Sequence, residues 1–378
     1  MMRKRQYDYL IVGSGLFGAT FAYMARQSGK SCLVIDSRPH TGGNVYCTEV
    51  EGITVHSYGP HVFHTSDKTV WDFVCGFVNF NSFRLCPLAN YHGEIFNLPF
   101  NMNTFRQMWN TVTPEEANAV IERQRFRGVV TNLEEQALSM VGEDVYRKLI
   151  SGYTEKQWGR SCCELPPFII RRLPVRLVYD NSYFDDPYQG VPVDGYNSLV
   201  DKLLEGIETR TSVNFFEGLY RCWRDVAHEL VYTGKIDDYF HRCLGRLAYR
   251  SLRFETQVAG IPNSQGVAIM NFTDRETPYT RIIEHKHFVC FGNDVYANPK
   301  TVITREYPDC YADGKEAYYP INDGTNNTIY RNYMELAKGE RNVIFGGRLA
   351  EYAYYDMDKT IASALAAWEK SSVVREYT

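Results

Sequence analysis

Three groups of residues in this sequence have the types and spacing to do chemistry. The first is Gly13, Gly15 and Gly18, followed 18 residues later by Asp36. Gly13 permits a tight turn, Gly15 lets backbone approach a pyrophosphate, and Gly18 lets a new helix lie close to a sheet. Leu16 and Phe17 would then open a helix whose unpaired N–H groups and dipole favour an anion. The Asp36 carboxylate stands where it can accept the ribose hydroxyls of an adenine dinucleotide. The second group is the histidines of His56-Ser-Tyr-Gly-Pro-His61-Val-Phe-His64. Each alone reads as a hydrogen-bonded structural residue, but clustered beside a cofactor strand they could donate to a bound ring or steady charge at its edge. The third is cationic and aromatic: Trp158, Arg171 and Arg172 in one loop, and Arg281 in a later strand, whose fork suits a diphosphate. An ion pair with Glu284 is the structural alternative for Arg281.

A lone Gly-x-Gly-x-x-Gly is weak evidence, so the elements around it decide. Tyr9–Val12 reads as a buried strand, Leu16–Gln27 as a helix ended by Gly29, and Cys32–Ile35 as a second strand closing at the acid. Strand, helix, strand and carboxylate together read as a nucleotide-binding βαβ unit. A second glycine pair, Gly42-Gly43 before Asn44, lets backbone run close to a diphosphate or ribose, which favours FAD over NAD.

Composition narrows the partners. The chain has 378 residues, enough for two or three substructures, and a net charge of −4 with both signs mixed, which offers no basic face for nucleic acid and no polybasic membrane anchor. No apolar stretch reaches transmembrane length, and the run after Met1-Met2-Arg3-Lys4-Arg5 is too short for a signal peptide. The ten cysteines have no Cys-x-x-Cys spacing and read as free thiols of a reducing cytoplasm. No metal site is expected.

Farther along, Tyr46–Val55 reads as a hairpin turning at Glu51-Gly52. From Asn97 to Trp158 the pattern turns helical, with starts at Thr113-Pro-Glu-Glu116 and Asn132-Leu-Glu-Glu135. Gly152–Gly159 and Pro166–Pro174 read as a mobile loop, a candidate lid. Leu177–Tyr183, Tyr188–Pro192, Ala248–Glu255, Gly266–Phe272 and Tyr279–Ile283 read as an antiparallel sheet. Leu230–Asp237 and Val343–Phe345 return to the nucleotide fold, and Asp356-Met357 begin a closing helix whose N-terminus would favour an anionic reduced flavin. The expected fold is α/β, a Rossmann-like FAD-binding domain (1–75, 195–240 and 325–378) with an inserted helical bundle and lid (97–175) and an antiparallel sheet domain (176–194 and 241–324).

The strings around Gly13–Gly18, Phe96–Phe105, Gly152–Arg160, Arg281–Phe288 and Gly346–Tyr352 closely resemble the bacterial UDP-galactopyranose mutases over nearly the whole chain. The resemblance implies a flavin-dependent isomerase that interconverts the pyranose and furanose forms of UDP-galactose with no net redox change, through a covalent sugar adduct at N5 of reduced FAD. It also implies a cytoplasmic homodimer serving cell-surface polysaccharide synthesis. By this likeness Arg172 and Arg281 clamp the diphosphate, Trp158 gates the sugar site, and Tyr183 with Phe184 hold the uridine. Tyr153, Tyr319 and Tyr354 surround the phosphates and sugar; His61, His64, Arg348, Asp356 and Met357 line the flavin. The stretch Asn81–Pro87 lacks a polar Asn that the family pattern has near Leu85, and Arg171 stands where Lys is commoner; both bear on the sugar, because related enzymes act on UDP-N-acetylgalactose. The rival readings are a redox flavoenzyme acting on a sugar nucleotide, and a flavin-bearing nucleotide binder without catalysis.

Overall fold

The computed structural model describes residues 6–171 and 173–376. Two sheets dominate. The first is parallel and five-stranded, in the order Val343–Phe345, Ala227–Tyr232, Tyr7–Val12, Cys32–Ile35, Glu208–Arg210. Its central strand is apolar from Tyr9 to Val12, where both faces are covered. On one face Leu16–Gln27 packs against the closing helix Met357–Glu376, where the Phe21 and Trp368 rings meet edge to face at 5.5 Å. Side chains of that size stabilise by about 1.5–3 kcal/mol each when fully buried.

The second sheet has seven strands, in the order 319–320, 249–259, 301–310, 281–284, 269–272, 88–91, 94–97. It sets Arg281 directly opposite Glu306 on one neighbour and Asn271 on the other. Residues opposed in this way share a face of the sheet. A short pair, Phe63–Thr65 with Tyr188–Gly190, places His64 opposite Gln189. Tyr188–Gly190 therefore supports the histidine segment and does not join the large sheet.

The helical segment comprises Met102–Trp109, Pro114–Gln124, Leu133–Val145 and a continuing turn that runs into Gly152–Trp158. Two of its starts, at Pro114 and Leu133, are those the sequence marks. Thr113 and Glu116 form a reciprocal capping box with Pro114 at the first position, and the Asn132 side chain accepts from the Glu135 N–H. Two expectations are corrected. Leu177–Tyr183 is irregular, not a strand, because the Arg176 guanidinium holds the Ser182 carbonyl and the Asp185 carboxylate and bends the chain around itself. Gly152–Trp158 is a helix and not a loop, ended by Gly159 in the left-handed region at φ 65°. Among the described residues, no helix is long and apolar enough to cross a membrane.

Candidate functional site

The glycine turn is built from close backbone contacts. A Cβ on Gly18 would stand 1.9 Å from the Gly13 carbonyl oxygen, so the helix can start here only on glycine. Gly43, at φ +56°, brings its backbone against Gly15, where an added Cβ would lie 3.1 Å from the Gly15 Cα. Gly346 and Gly347 meet Phe17 in the same way, the Cβ position of Gly346 falling 2.0 Å from the Phe17 ring. Three glycine-bearing segments thus converge on one place.

Asp36 braces this turn from behind. Its Oδ2 accepts from both the N–H and the hydroxyl of Ser14, each at 2.7 Å, and its Oδ1 from the Arg38 N–H at 2.9 Å. The carboxylate is 8% exposed and, like Gly13 and Gly43, does not line the adjoining cavity. The Arg38 guanidinium in turn donates to Asn44 at 2.9 Å and lies 4.3 Å from the Tyr58 ring centre.

A cavity of about 1310 Å³ opens in front of the turn. Its wall includes Gly15, Leu16, Phe17, Gly18 and Asn44, and also His61, His64, Tyr153, Trp158, Tyr183, Phe184, Arg281, Tyr319, Arg348, Tyr354, Asp356 and Met357. Sequence segments more than 300 residues apart thereby form one site. Arg172 lies outside the described residues. Arg171 is exposed and donates to Gln136 at 3.3 Å, outside the cavity wall.

Arg281 and Arg348 are the guanidinium groups of that wall among the described residues. The Arg281 Nε donates to Glu306 Oε1 at 2.9 Å and its Nη2 to the Tyr153 hydroxyl at 3.1 Å. Burial is the largest single influence and works against the charge, but Glu306 together with the phenols of Tyr153, Tyr319 and Tyr354 outweighs it and raises the guanidinium pKa. Its partner is therefore Glu306 and not Glu284, whose oxygens accept instead from the N–H groups of Ser264 and Gln265 and from Thr301. A guanidinium has five N–H donors, so the fork keeps donors for a ligand. Burial pushes the Tyr153 phenol up to about 12, keeping it a neutral hydroxyl beside the cation. Tyr319 and Tyr354 stack at 5.5 Å, and the Arg348 guanidinium lies 5.6 Å from the Tyr354 ring centre.

The histidines divide. His61 is held neutral because burial lowers its pKa to about 4, and its Nδ1 lies 2.8 Å from the Gly59 carbonyl. Facing a carbonyl, Nδ1 carries the proton, so Nε2 accepts a hydrogen bond. His56 accepts from the His61 N–H at 3.0 Å and stacks on Phe288, which makes it a packing residue. His64 stacks on Phe184 with ring centres 3.5 Å apart and bonds Asp186 through Nδ1 at 2.6 Å.

The residues fit a bound dinucleotide. At Gly15, Gly18 and Gly347 the cavity wall presents backbone with no side chain, and Arg348 Nε is buried with no partner. Sequence reasoning missed Glu306, Asn271, Tyr58 and Asp186. Only their pairing across distant segments brings them to the site, and no local pattern marks it.

The family model described as UDP-galactopyranose mutase matches residues 148–354, and that of an NAD(P)-binding Rossmann-like domain matches residues 11–76. A probable UDP-galactopyranose mutase of Klebsiella pneumoniae is 37% identical over 95% of this chain and 93% of its own length. A dTDP-fucopyranose mutase of Escherichia coli is 36% identical over 94% of this chain and 96% of its own. Among solved structures, reduced UDP-galactopyranose mutase superposes with a TM-score of 0.74 over 98% of this chain and 96% of that one, at 13% identity, a likeness of fold. Full-length relatives above 30% identity, together with the family model across the segment that carries Tyr153, Arg281 and Arg348, show that the chain belongs to the UDP-galactopyranose mutase family.

Proposed function

We propose that the chain is an FAD-dependent isomerase that converts UDP-galactopyranose to UDP-galactofuranose and back. The observation that carries this is one cavity whose wall holds both the glycine turns and Arg281. At about 1310 Å³ it exceeds the roughly 300–1,000 Å³ typical of a site for one small ligand, and so has room for a cofactor with a substrate beside it. Gly15, Gly18, Asn44 and Arg348 would hold the dinucleotide, with the helix starting at Met357 in the same wall. Reduced FAD, when bound, supplies a nucleophilic nitrogen at the anomeric carbon.

The protein's own residues then do three things. Arg281 neutralises the diphosphate as negative charge grows on the leaving UDP, in a setting where Glu306 and Tyr153 have already fixed its fork. Tyr183 and Phe184 present ring faces to the base, and the His64–Asp186 bond with the stack on His64 locks Phe184 in place. Tyr153, Trp158, Tyr319 and Tyr354 line the sugar end and reduce its access to water, and the family resemblance supports Arg172 as a second cation on the diphosphate. We place the enzyme in the cytoplasm, supported by its ten free thiols, and as a homodimer, supported by the family resemblance.

A second substrate, a dTDP-linked 6-deoxy sugar, is favoured by the nearly equal identity to the dTDP-fucopyranose mutase and by the apolar wall residues Leu85, Leu252 and Ile269. The test offers the reduced holoprotein UDP-galactopyranose and dTDP-fucopyranose in parallel and separates the products by chromatography. Ring contraction of the UDP sugar at the higher kcat/KM supports the first reading. A higher value for the dTDP sugar transfers the proposal to the second, and no ring-contracted product from either sinks both.

A further inference from the structure

Helix Gly152–Trp158 turns one face to the cavity and rests the other on the connection between strands Ile269–Phe272 and Arg281–Glu284. The contact is close. A Cβ on Gly152 would lie 2.4 Å from the Thr273 carbonyl oxygen, and Glu155 pairs with Arg275 at 2.8 Å. At its centre the Lys156 ammonium donates to the carbonyls of Phe272 at 2.9 Å, Thr277 at 3.0 Å and Tyr279 at 3.1 Å. An ammonium has three donors and no acceptor, so all three are engaged, and the acceptors come from both ends of the connection.

The chain positions give this cluster a functional address. Lys156 follows Tyr153 by one helical turn, and Tyr279, at the end of the connection, lies two residues before Arg281, which opens the strand. One ammonium therefore ties the helix that supplies Tyr153 to the strand that supplies Arg281, and those two side chains meet at 3.1 Å. Lys156 does not line the cavity.

We propose that Lys156 is a positioning residue for diphosphate binding: its ammonium gathers three carbonyls as a bound cation would and so fixes the Arg281–Tyr153 pair. The inference rests on the reading of Arg281 as the diphosphate ligand. Burial lowers the Lys156 pKa to about 8 while Asp274 and Glu276 oppose the shift, so the charged form still predominates at neutral pH.

The test titrates UDP calorimetrically into FAD-loaded wild type, Lys156→Met, Arg281→Ala and the double variant. The expected result is a tenfold or greater loss of affinity in Lys156→Met, with no further loss when it is added to Arg281→Ala. In Lys156→Ala, added ethylammonium should restore affinity toward wild type. Wild-type affinity in Lys156→Met beside a weakened Arg281→Ala overturns the role of Lys156 alone. Wild-type affinity in Arg281→Ala overturns the diphosphate reading itself. Equal losses from Lys156→Met in both backgrounds indicate general loosening and also overturn the positioning role. Should Lys156→Met fail to hold flavin, the ethylammonium experiment decides: recovered UDP affinity supports the proposal, and recovered flavin without UDP affinity refutes it.

Discussion

Replacing Arg281 with Ala removes one guanidinium from two interactions, and the structure separates their sizes. Toward the protein, it strips the partner from Glu306, whose side chain is 1% exposed. Breaking a buried ion pair on one side costs about 3–5 kcal/mol. The bond from the Thr280 hydroxyl to Glu306 at 3.0 Å survives, which places the expected loss of folding stability near the lower end, about 3 kcal/mol. Toward the ligand, truncating a desolvated charge that faces a phosphate costs about 2–5 kcal/mol, or roughly 30-fold to several thousand-fold in UDP affinity. A second substitution, Glu306→Gln, separates the two effects. It removes the stranded charge, so the double variant recovers most of the folding loss in urea unfolding, whereas its UDP affinity stays low. If Arg281→Ala/Glu306→Gln binds UDP within threefold of wild type, Arg281 is a structural ion-pair residue and the clamp assignment is wrong.

Three further outcomes follow from the geometry. Acid should destabilise the fold through His61 and His285, which burial holds neutral with pKa values of about 4 and about 3 against 6.5 for the free group. Below 6.5 the unfolded chain binds more protons, so each histidine removes about 1.4 kcal/mol per pH unit down to its folded pKa. Thermal unfolding between pH 7 and pH 4 checks this, and a flat profile would count against neutral histidines. Gly18→Ala should abolish flavin retention, because its Cβ would meet the Gly13 carbonyl at 1.9 Å; a yellow, flavin-loaded variant with wild-type absorbance would contradict that. Asp36→Ala should weaken FAD binding by loosening the Ser14 turn, at about 1.5–3 kcal/mol for the hydrogen bonds to a charged group. Unchanged FAD affinity by fluorescence titration would leave the brace without a role in binding.

Much of the nucleotide half was legible because its signals are local. The glycines, the apolar strand before them and the acid after them lie within 30 residues, and capping boxes mark helix starts over a few positions. Arg281 was readable as a strand cation, but its partner was not, since Glu306 reaches it only through the register of two antiparallel strands. The hairpin Leu88–Tyr91 with Glu94–Asn97 was missed. It turns on His92 and Gly93 at φ 50° and 90°, a geometry for which Asn-Gly is the usual signal. The segment Gly152–Trp158 read as a loop because its glycines suggested freedom, whereas Gly152 is required by contact with the Thr273 carbonyl and Gly159 by a left-handed helix end. Asp36 was readable from its spacing after the glycines, whereas its bonds from Ser14, which brace the turn, were not.

The measurement closest to the central claim is turnover of UDP-galactofuranose by the purified holoprotein, with and without dithionite, counting product against reductant consumed. Isomerisation is expected only with reduced flavin, giving UDP-galactopyranose over many turnovers with no reductant used per turnover. Product formed in step with reductant or oxygen consumption, or no UDP-galactopyranose from the reduced protein, would contradict it.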